Sequence, residues 1–182
     1  REENRKEDVE KMAEEFPVWV TDVNDLPSAL NMIQDLGELT GHKTEATDLV
    51  KKIAAGFEQL SHKVSQRKLP AAYLIWKDPW MSIGGDTFIH DMMHRAGLEN
   101  LFGDLNRYPV IDINLLREKK CPLLLLSSEP YPFSKKHLSE LSKLLPHCRI
   151  ELVDGMKFSW YGDQLLHTPE YLTDFLRLIG HL

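Results

Sequence analysis

Four consecutive leucines, Leu123 to Leu126 in the run PLLLLSS, constrain this chain more than any other stretch. A strand that is apolar at every position has no face to give to water. Both of its faces must be covered, which is the situation of a strand inside a parallel sheet. From about Pro70 onward, strand-like and helix-like stretches alternate around it. Strand AAYLIW leads into helix TFIHDMMHRAG, with Asp86 or Thr87 as its cap and Gly97 as its stop. After a loop, NLFGDLNRYPV, come helix DINLLREKK, strand PLLLLSS, helix SKKHLSELSKLL, strand RIELVD and a final helix. Alternation at this spacing implies βαβ units and a parallel sheet. The fold class is therefore α/β, with a Rossmann-like lobe from Pro70 to the end.

The chain before Pro70 has a different texture. RKEDVEKMAEEF reads as a charged amphipathic helix with Val9, Met12 and Phe16 near helical spacing, and VWVTDV reads as a short strand. LPSALNMIQDLGELTG is a helix whose stop signal is Gly41. From Thr44 or Glu45, Leu49, Ile53, Phe57, Leu60 and Val64 recur every three or four residues, a single long helix ended by Pro70. Gly56 in its middle costs roughly 1 kcal/mol against Ala, which marks a close contact of the helix with the lobe. The expected organisation is a remnant of a first α/β lobe over 1–43, a connecting backbone helix over 44–69, and a second α/β lobe over 70–182. With one clear strand, the remnant is expected to be the tail of a lobe whose beginning is missing.

Composition narrows the function classes. A chain of 182 residues can bury a sizeable core, and a net charge of -6 argues against a broad nucleic-acid footprint, which needs a basic patch. No window approaches the ~20 apolar residues of a membrane span, and no signal-peptide pattern opens the chain. Cys121 and Cys148 each precede a strand; a disulfide between parallel neighbours and two separate buried thiols are both open.

Seven of the sixteen aromatic residues fall in three short stretches, each directly after an apolar strand-like run. They are Trp76 and Trp80 in WKDPWMSIGG, Tyr131 and Phe133 in EPYPF, and Phe158, Trp160 and Tyr161 in GMKFSWY. Ligands of open α/β sheets bind in the crevice outside the carboxyl ends of the strands, and flat aromatic walls suit a large, partly apolar ligand. Core rings belong in strands and on helix faces, whereas these lie in loops rich in Pro and Gly. Lys77, Asp78, Ser82, Ser127, Ser128 and Glu129 are nearby candidates for the few polar groups of such a pocket, although each also suits a turn or cap.

Other chemistry is less well supported. His90 and His94 in HDMMH share a helix face at zinc-binding spacing, but a metalloprotease also needs a Glu beside the first His, and no third ligand stands out. No GxSxG, G-x-x-x-x-G-K-[ST] or GxGxxG occurs. SIGGDT could offer N–H groups to an anion, and is more simply a tight turn with an Asp cap. The rival to a binder is an α/β enzyme using Asp78, Asp154 or Ser128 at the strand ends.

A long helix followed by such a lobe resembles the helical-backbone substrate-binding proteins of ABC importers, the receptors for cobalamin, siderophores and haem. YLIWKDPWMSIGGDTFIHDMMHRAGLENLF is similar to the family's opening of the second lobe, and LLLLSSEPYPF and VDGMKFSWYG to its next two strand-loop units. EENRKEDVEKMAEEFPVWVTDV resembles the end of the first lobe. The likeness is nearest to the cobalamin branch. It implies an extracytoplasmic receptor, free or lipid-anchored, a monomer that delivers its ligand to a membrane permease. It implies no enzyme activity and no resident cofactor or metal; the ligand is a corrinoid or a related metal chelate. The implied contacts are Trp76, Trp80, Tyr131, Phe133 and, above all, Trp160, with Asp163 as an acid for docking to the permease.

Overall fold

The computed structural model describes residues 4–182. The first three residues of the expected N-terminal remnant lie outside the described residues. Four strands form one parallel sheet in the order β2-β1-β3-β4: β1 (Leu69–Leu74), β2 (Leu98–Asn100), β3 (Leu123–Ser127) and β4 (Arg149–Val153). The leucine run occupies β3, buried at every position between β1 and β4. Successive strand side chains point to opposite faces, and each face has its own core. Ala71, Tyr73, Leu123 and Leu125 join one cluster, whereas Ala72, Leu74, Leu124 and Leu126 join the other.

Helices cover both faces. The first cluster takes residues from α2 (Leu26–Leu39), α3 (Lys43–Lys63), α4 (Phe88–Arg95) and α8 (Thr168–Ile179). The second is closed by Leu116 of α5 (Ile113–Glu118) and Leu141 of α6 (Lys135–Leu144). Thr87 is the N-cap of α4, its side chain accepting from His90 N, and Gly97 follows with φ 70°. Leu26 N donates to the Asp91 carboxylate at 2.8 Å, tying the start of α2 to α4. Gly56 of α3 faces Pro169 of α8, where a Cβ would come within 3.1 Å of the proline ring. The close contact expected at Gly56 is thus between α3 and α8.

Three expectations need correction. VWVTDV is not a strand: residues 17–24 have no regular structure, and Val18, Trp19 and Val20 are exposed. A strand exists only where a neighbour accepts its backbone hydrogen bonds, and no strand lies beside this segment among the described residues. The long helix ends at Lys63, well short of Pro70, because Val64 is already extended (ψ 135°). GLEN, read as the end of a helix and a loop, contains β2, with Leu98 and Asn100 buried on one side. The charged first helix is present as α1 (Lys6–Ala13), but it buries no residue and Phe16 beyond it is 60% exposed. Cys121 and Cys148 are free thiols, the first donating to Leu123 O at 3.1 Å and the second to Arg149 O at 3.4 Å.

Candidate ligand-binding cleft

The chain goes from β1 to β2 on one side and then returns to place β3 on the other side of β1. Between β1 and β3 the strand order reverses, and the crevice at their carboxyl ends is where an open α/β sheet binds ligands. A cleft of about 730 Å³ opens there, lined by Ile75 and Trp76 from beyond β1, Glu129 and Pro130 from beyond β3, and Ser159 to Tyr161 from beyond β4. Tyr108, Phe88 and the segment Thr21 to Val23 complete the described lining, together with Asn4, Met81 and Ile89.

Each wall has a local cause. Beyond β1 the chain doubles back: Ile75 N donates to Met81 O at 3.0 Å and Met81 N to Trp76 O at 3.1 Å. Met81 also bridges Val110, and Ile111 N donates to Trp80 O at 2.9 Å, so the loop carrying Trp76 is held at both ends. Beyond β4, Gly155 N donates to the Ser128 hydroxyl at 2.9 Å and the chain enters α7 (Met156–Ser159), one turn that ends on Trp160. The Trp160 indole Nε1–H donates to Glu129 Oε1 at 2.7 Å, and the Ser159 hydroxyl donates to the same oxygen at 2.9 Å.

Glu129 is itself fixed from below. The buried Tyr73 hydroxyl donates to Ser127 Oγ at 3.0 Å, and Ser127 Oγ donates to the Glu129 carbonyl. Burial pushes the Tyr73 phenol up, which keeps it a donor at any physiological pH. Gly155 is needed beneath this loop, because a Cβ would come within 2.4 Å of Ser127 Oγ and 2.5 Å of Glu129 Cγ.

Of the five aromatic residues expected to contact the ligand, the fold brings Trp76 and Trp160 to the cleft, 40% and 53% exposed. Tyr131 stands behind Trp76, edge to face at 5.6 Å. Phe133 is buried in the second core, with Trp80 stacked on it at 6.2 Å, and neither is part of the cleft lining. Tyr161 meets Phe88 edge to face at 5.4 Å. Phe88 and Tyr108 escaped the sequence reading; Phe88 opens an amphipathic helix and looks like any core residue, and Tyr108 follows no strand.

The polar candidates divide similarly. Ser82 donates to Tyr73 O and Ser127 to Glu129 O, while Ser128 accepts from Gly155 N. Lys77 pairs with Glu140 at 2.6 Å, its ammonium 5.2 Å from the Trp80 ring. Asp154, before α7, accepts from Met156 N at 3.1 Å, and Asp78 is exposed on the loop beyond β1. Ser128 and Asp154 are thus engaged with the backbone at Gly155 and Met156, whereas Asp78 lies on the loop beyond β1. His90 Nδ1 meets the Asn100 amide at 3.3 Å. Among the described residues, no three His, Cys, Asp or Glu side chains converge as a metal site.

The family model for periplasmic binding proteins matches residues 2–136. The chain belongs to that family. No curated protein matches the sequence. This periplasmic binding protein superposes on a possible iron-binding (periplasmic solute-binding) protein from Staphylococcus epidermidis with a TM-score of 0.75 and 22% identity, over 89% of this chain and 65% of that one. It superposes on the periplasmic vitamin B12 binding protein of Vibrio cholerae with a TM-score of 0.77 and 13% identity, over 98% and 72% of the two chains. The periplasmic haem-binding protein HutB of the same organism gives a TM-score of 0.74 and 15% identity, over 90% and 69%. At such identities the likeness is one of fold. This chain spans about two thirds of the length of the first of these solved periplasmic binding proteins.

Proposed function

We propose that this periplasmic binding protein is the solute-binding component of an ABC importer and captures a corrinoid or a related flat metal chelate. The observation that carries this reading is the cleft at the switch point between β1 and β3, walled by the exposed rings of Trp76 and Trp160. Aromatic faces bury a large area of a planar ligand at low entropy cost and leave its edges to polar groups. The same arrangement supports a receptor that does no chemistry and needs no resident cofactor, any metal arriving inside the ligand. Tyr131 supports Trp76 from behind, and the Phe133–Trp80 stack anchors that support in the core.

The family is consistent with a place outside the cytoplasm, and among the described residues no helix is long and apolar enough to cross a membrane. The protein acts as a monomer that hands its ligand to a membrane permease. Asp163, exposed at the head of the 3₁₀ turn Asp163–Leu166, is the acid we assign to that docking. The organisation into the end of a first lobe, a connecting helix and a second lobe belongs to the same proposal.

Isothermal titration with cyanocobalamin tests it. Saturable binding of one equivalent, weakened at least about tenfold by Trp76→Ala and by Trp160→Ala, is the expected result. Absence of heat with cyanocobalamin, alongside saturable binding of haemin or a ferric siderophore, would remove the corrinoid and keep the receptor.

A further inference from the structure

We infer that Glu129 sets both the pose of the aromatic wall and the charge of the accepted ligand: it holds the Trp160 indole in place and makes the cleft favour uncharged or cationic flat chelates over those with free carboxylates. This inference rests on the receptor reading above.

Pose comes first. A single carboxylate oxygen of Glu129 receives both the Trp160 indole N–H and the Ser159 hydroxyl, at 2.7 and 2.9 Å. Hydrogen bonds to an ionised carboxylate are among the stronger ones. The acid cannot swing aside freely. Its carbonyl is held by Ser127, which is held in turn by Tyr73, and its Cγ lies against the space that Gly155 leaves open. A half-exposed indole is thereby held as a wall through a residue on a different strand-loop unit. Glu129 is a positioning residue for Trp160.

Charge follows from the same geometry. Among the described residues, the cleft lining contains the carboxylates of Asp22 and Glu129 and no lysine or arginine. Three cations of the same lobe are engaged outside the lining: Lys77 with Glu140 at 2.6 Å, Arg95 with Asp91 at 2.7 Å, and Arg107 with Asp86 at 3.3 Å. Protein sites that hold a ligand carboxylate use arginine or lysine for it. The ring faces of Trp76 and Trp160 carry negative quadrupole density, which attracts cations and repels anions. Donation of the indole N–H to a carboxylate strengthens that density on Trp160. A chelate with pendant carboxylates would meet like charge on this wall, whereas one with amide edges would meet none.

Two ligand pairs that differ at their pendant carboxylates test the assignment by calorimetry on the wild-type protein, Glu129→Gln and Glu129→Ala. One pair is cyanocobalamin and its monocarboxylate, in which one side-chain amide is hydrolysed. The other is haemin and its dimethyl ester. In the wild type the uncharged member of each pair that binds is expected to bind about tenfold tighter. Gln keeps an oxygen for the indole N–H, so Glu129→Gln should weaken the uncharged member less than Glu129→Ala does and shrink the gap at least about threefold. Glu129→Ala should weaken the uncharged member about tenfold, the charged member less, and shift the Trp160 fluorescence, because the ring is no longer held.

If the uncharged members bind saturably but the gap is absent, reversed or unchanged in Glu129→Gln, the charge assignment falls and the receptor reading stands. If Glu129→Ala leaves affinity and emission as in the wild type, the positioning role falls. If no member of either pair binds but a ferric siderophore does, this inference falls and the receptor reading stands; if none of these ligands binds, both fall.

Discussion

Trp160 and Glu129 lie on loops that follow different strands, β4 and β3, and are joined by one hydrogen bond of 2.7 Å from indole Nε1–H to carboxylate Oε1. That bond converts a ring 53% exposed to solvent into a fixed surface. Beneath it runs a chain of contacts from Tyr73 in the sheet, through Ser127, to the Glu129 backbone. The cleft wall is therefore built outward from the centre of the sheet, and its parts can be perturbed separately.

Because it is half exposed, Trp160 should matter to the ligand far more than to the fold. Trp160→Ala is expected to change unfolding free energy by no more than about 0.5 kcal/mol, while weakening ligand binding by about 1–3 kcal/mol. Thermal melts and calorimetry on one preparation read both quantities. A clear loss of stability with unchanged affinity would make Trp160 a packing residue.

Gly155 packs directly against the loop that carries Glu129. In Gly155→Ala the new Cβ would meet Ser127 Oγ at 2.4 Å and Glu129 Cγ at 2.5 Å, so the loop carrying Glu129 must shift. Overpacking of this kind costs about 1–3 kcal/mol. Urea denaturation should show that loss, and the displaced acid should weaken binding as well. A variant as stable as the wild type with full affinity would show that the loop can yield without consequence.

Tyr73 and Ser127 separate packing from hydrogen bonding. Tyr73→Phe keeps the ring against Phe158, 5.2 Å away, and removes only the hydroxyl that donates to Ser127. The expected cost is about 1 kcal/mol. Ser127→Ala should cost more, about 1–3 kcal/mol, because it leaves the Tyr73 hydroxyl buried without its acceptor. Denaturation midpoints for the two variants decide the order, and the reverse order would contradict this account.

Asp25 caps α2 through a capping box with Ser28, and supplies a pH dependence. The Ser28 hydroxyl, then its backbone N–H, hold the Asp25 carboxyl below its ordinary value of 3.8. A group whose pKa is lowered on folding stabilises the fold above its ordinary pKa and loses that contribution as pH falls through the folded value. Asp25→Ala should therefore cost about 1 kcal/mol at neutral pH. The difference from wild type should narrow below pH 3.8. Asp25→Asn should narrow in the same acid range from a smaller starting difference, since the amide oxygen still accepts from Ser28 N. Stability curves for the three proteins against pH check this, and a difference that stays constant into acid would rule out the cap as its source.

Much of the fold can be read from local pattern, because the pattern records burial. Leu123 to Leu126 are apolar at every position since β3 is covered on both faces, and Ile53, Phe57 and Leu60 recur at helical spacing since one stripe of α3 is buried. Where burial leaves no such trace, reading fails. Leu98 and Asn100 are buried either side of the exposed Glu99 in a strand too short for its alternation to stand out, and VWVTDV has the composition of a strand but no strand beside it among the described residues.

The cleft divides along the same line. Its location after the apolar strands is evident in sequence, since loops at the carboxyl ends of a parallel sheet meet on one side, and Trp76 and Trp160 lie in those loops. Which rings turn outward is not a local property. Phe133 and Trp80 fall into the second core while Phe88 and Tyr108 reach the cleft, because the helices on each face decide where a loop can pack. The pairing of Glu129 with Trp160 depends on β3 lying beside β4 and on the space left at Gly155. Local pattern encodes how deeply a residue is buried; only the packed sheet, which brings distant loops within hydrogen-bonding range, determines its partner.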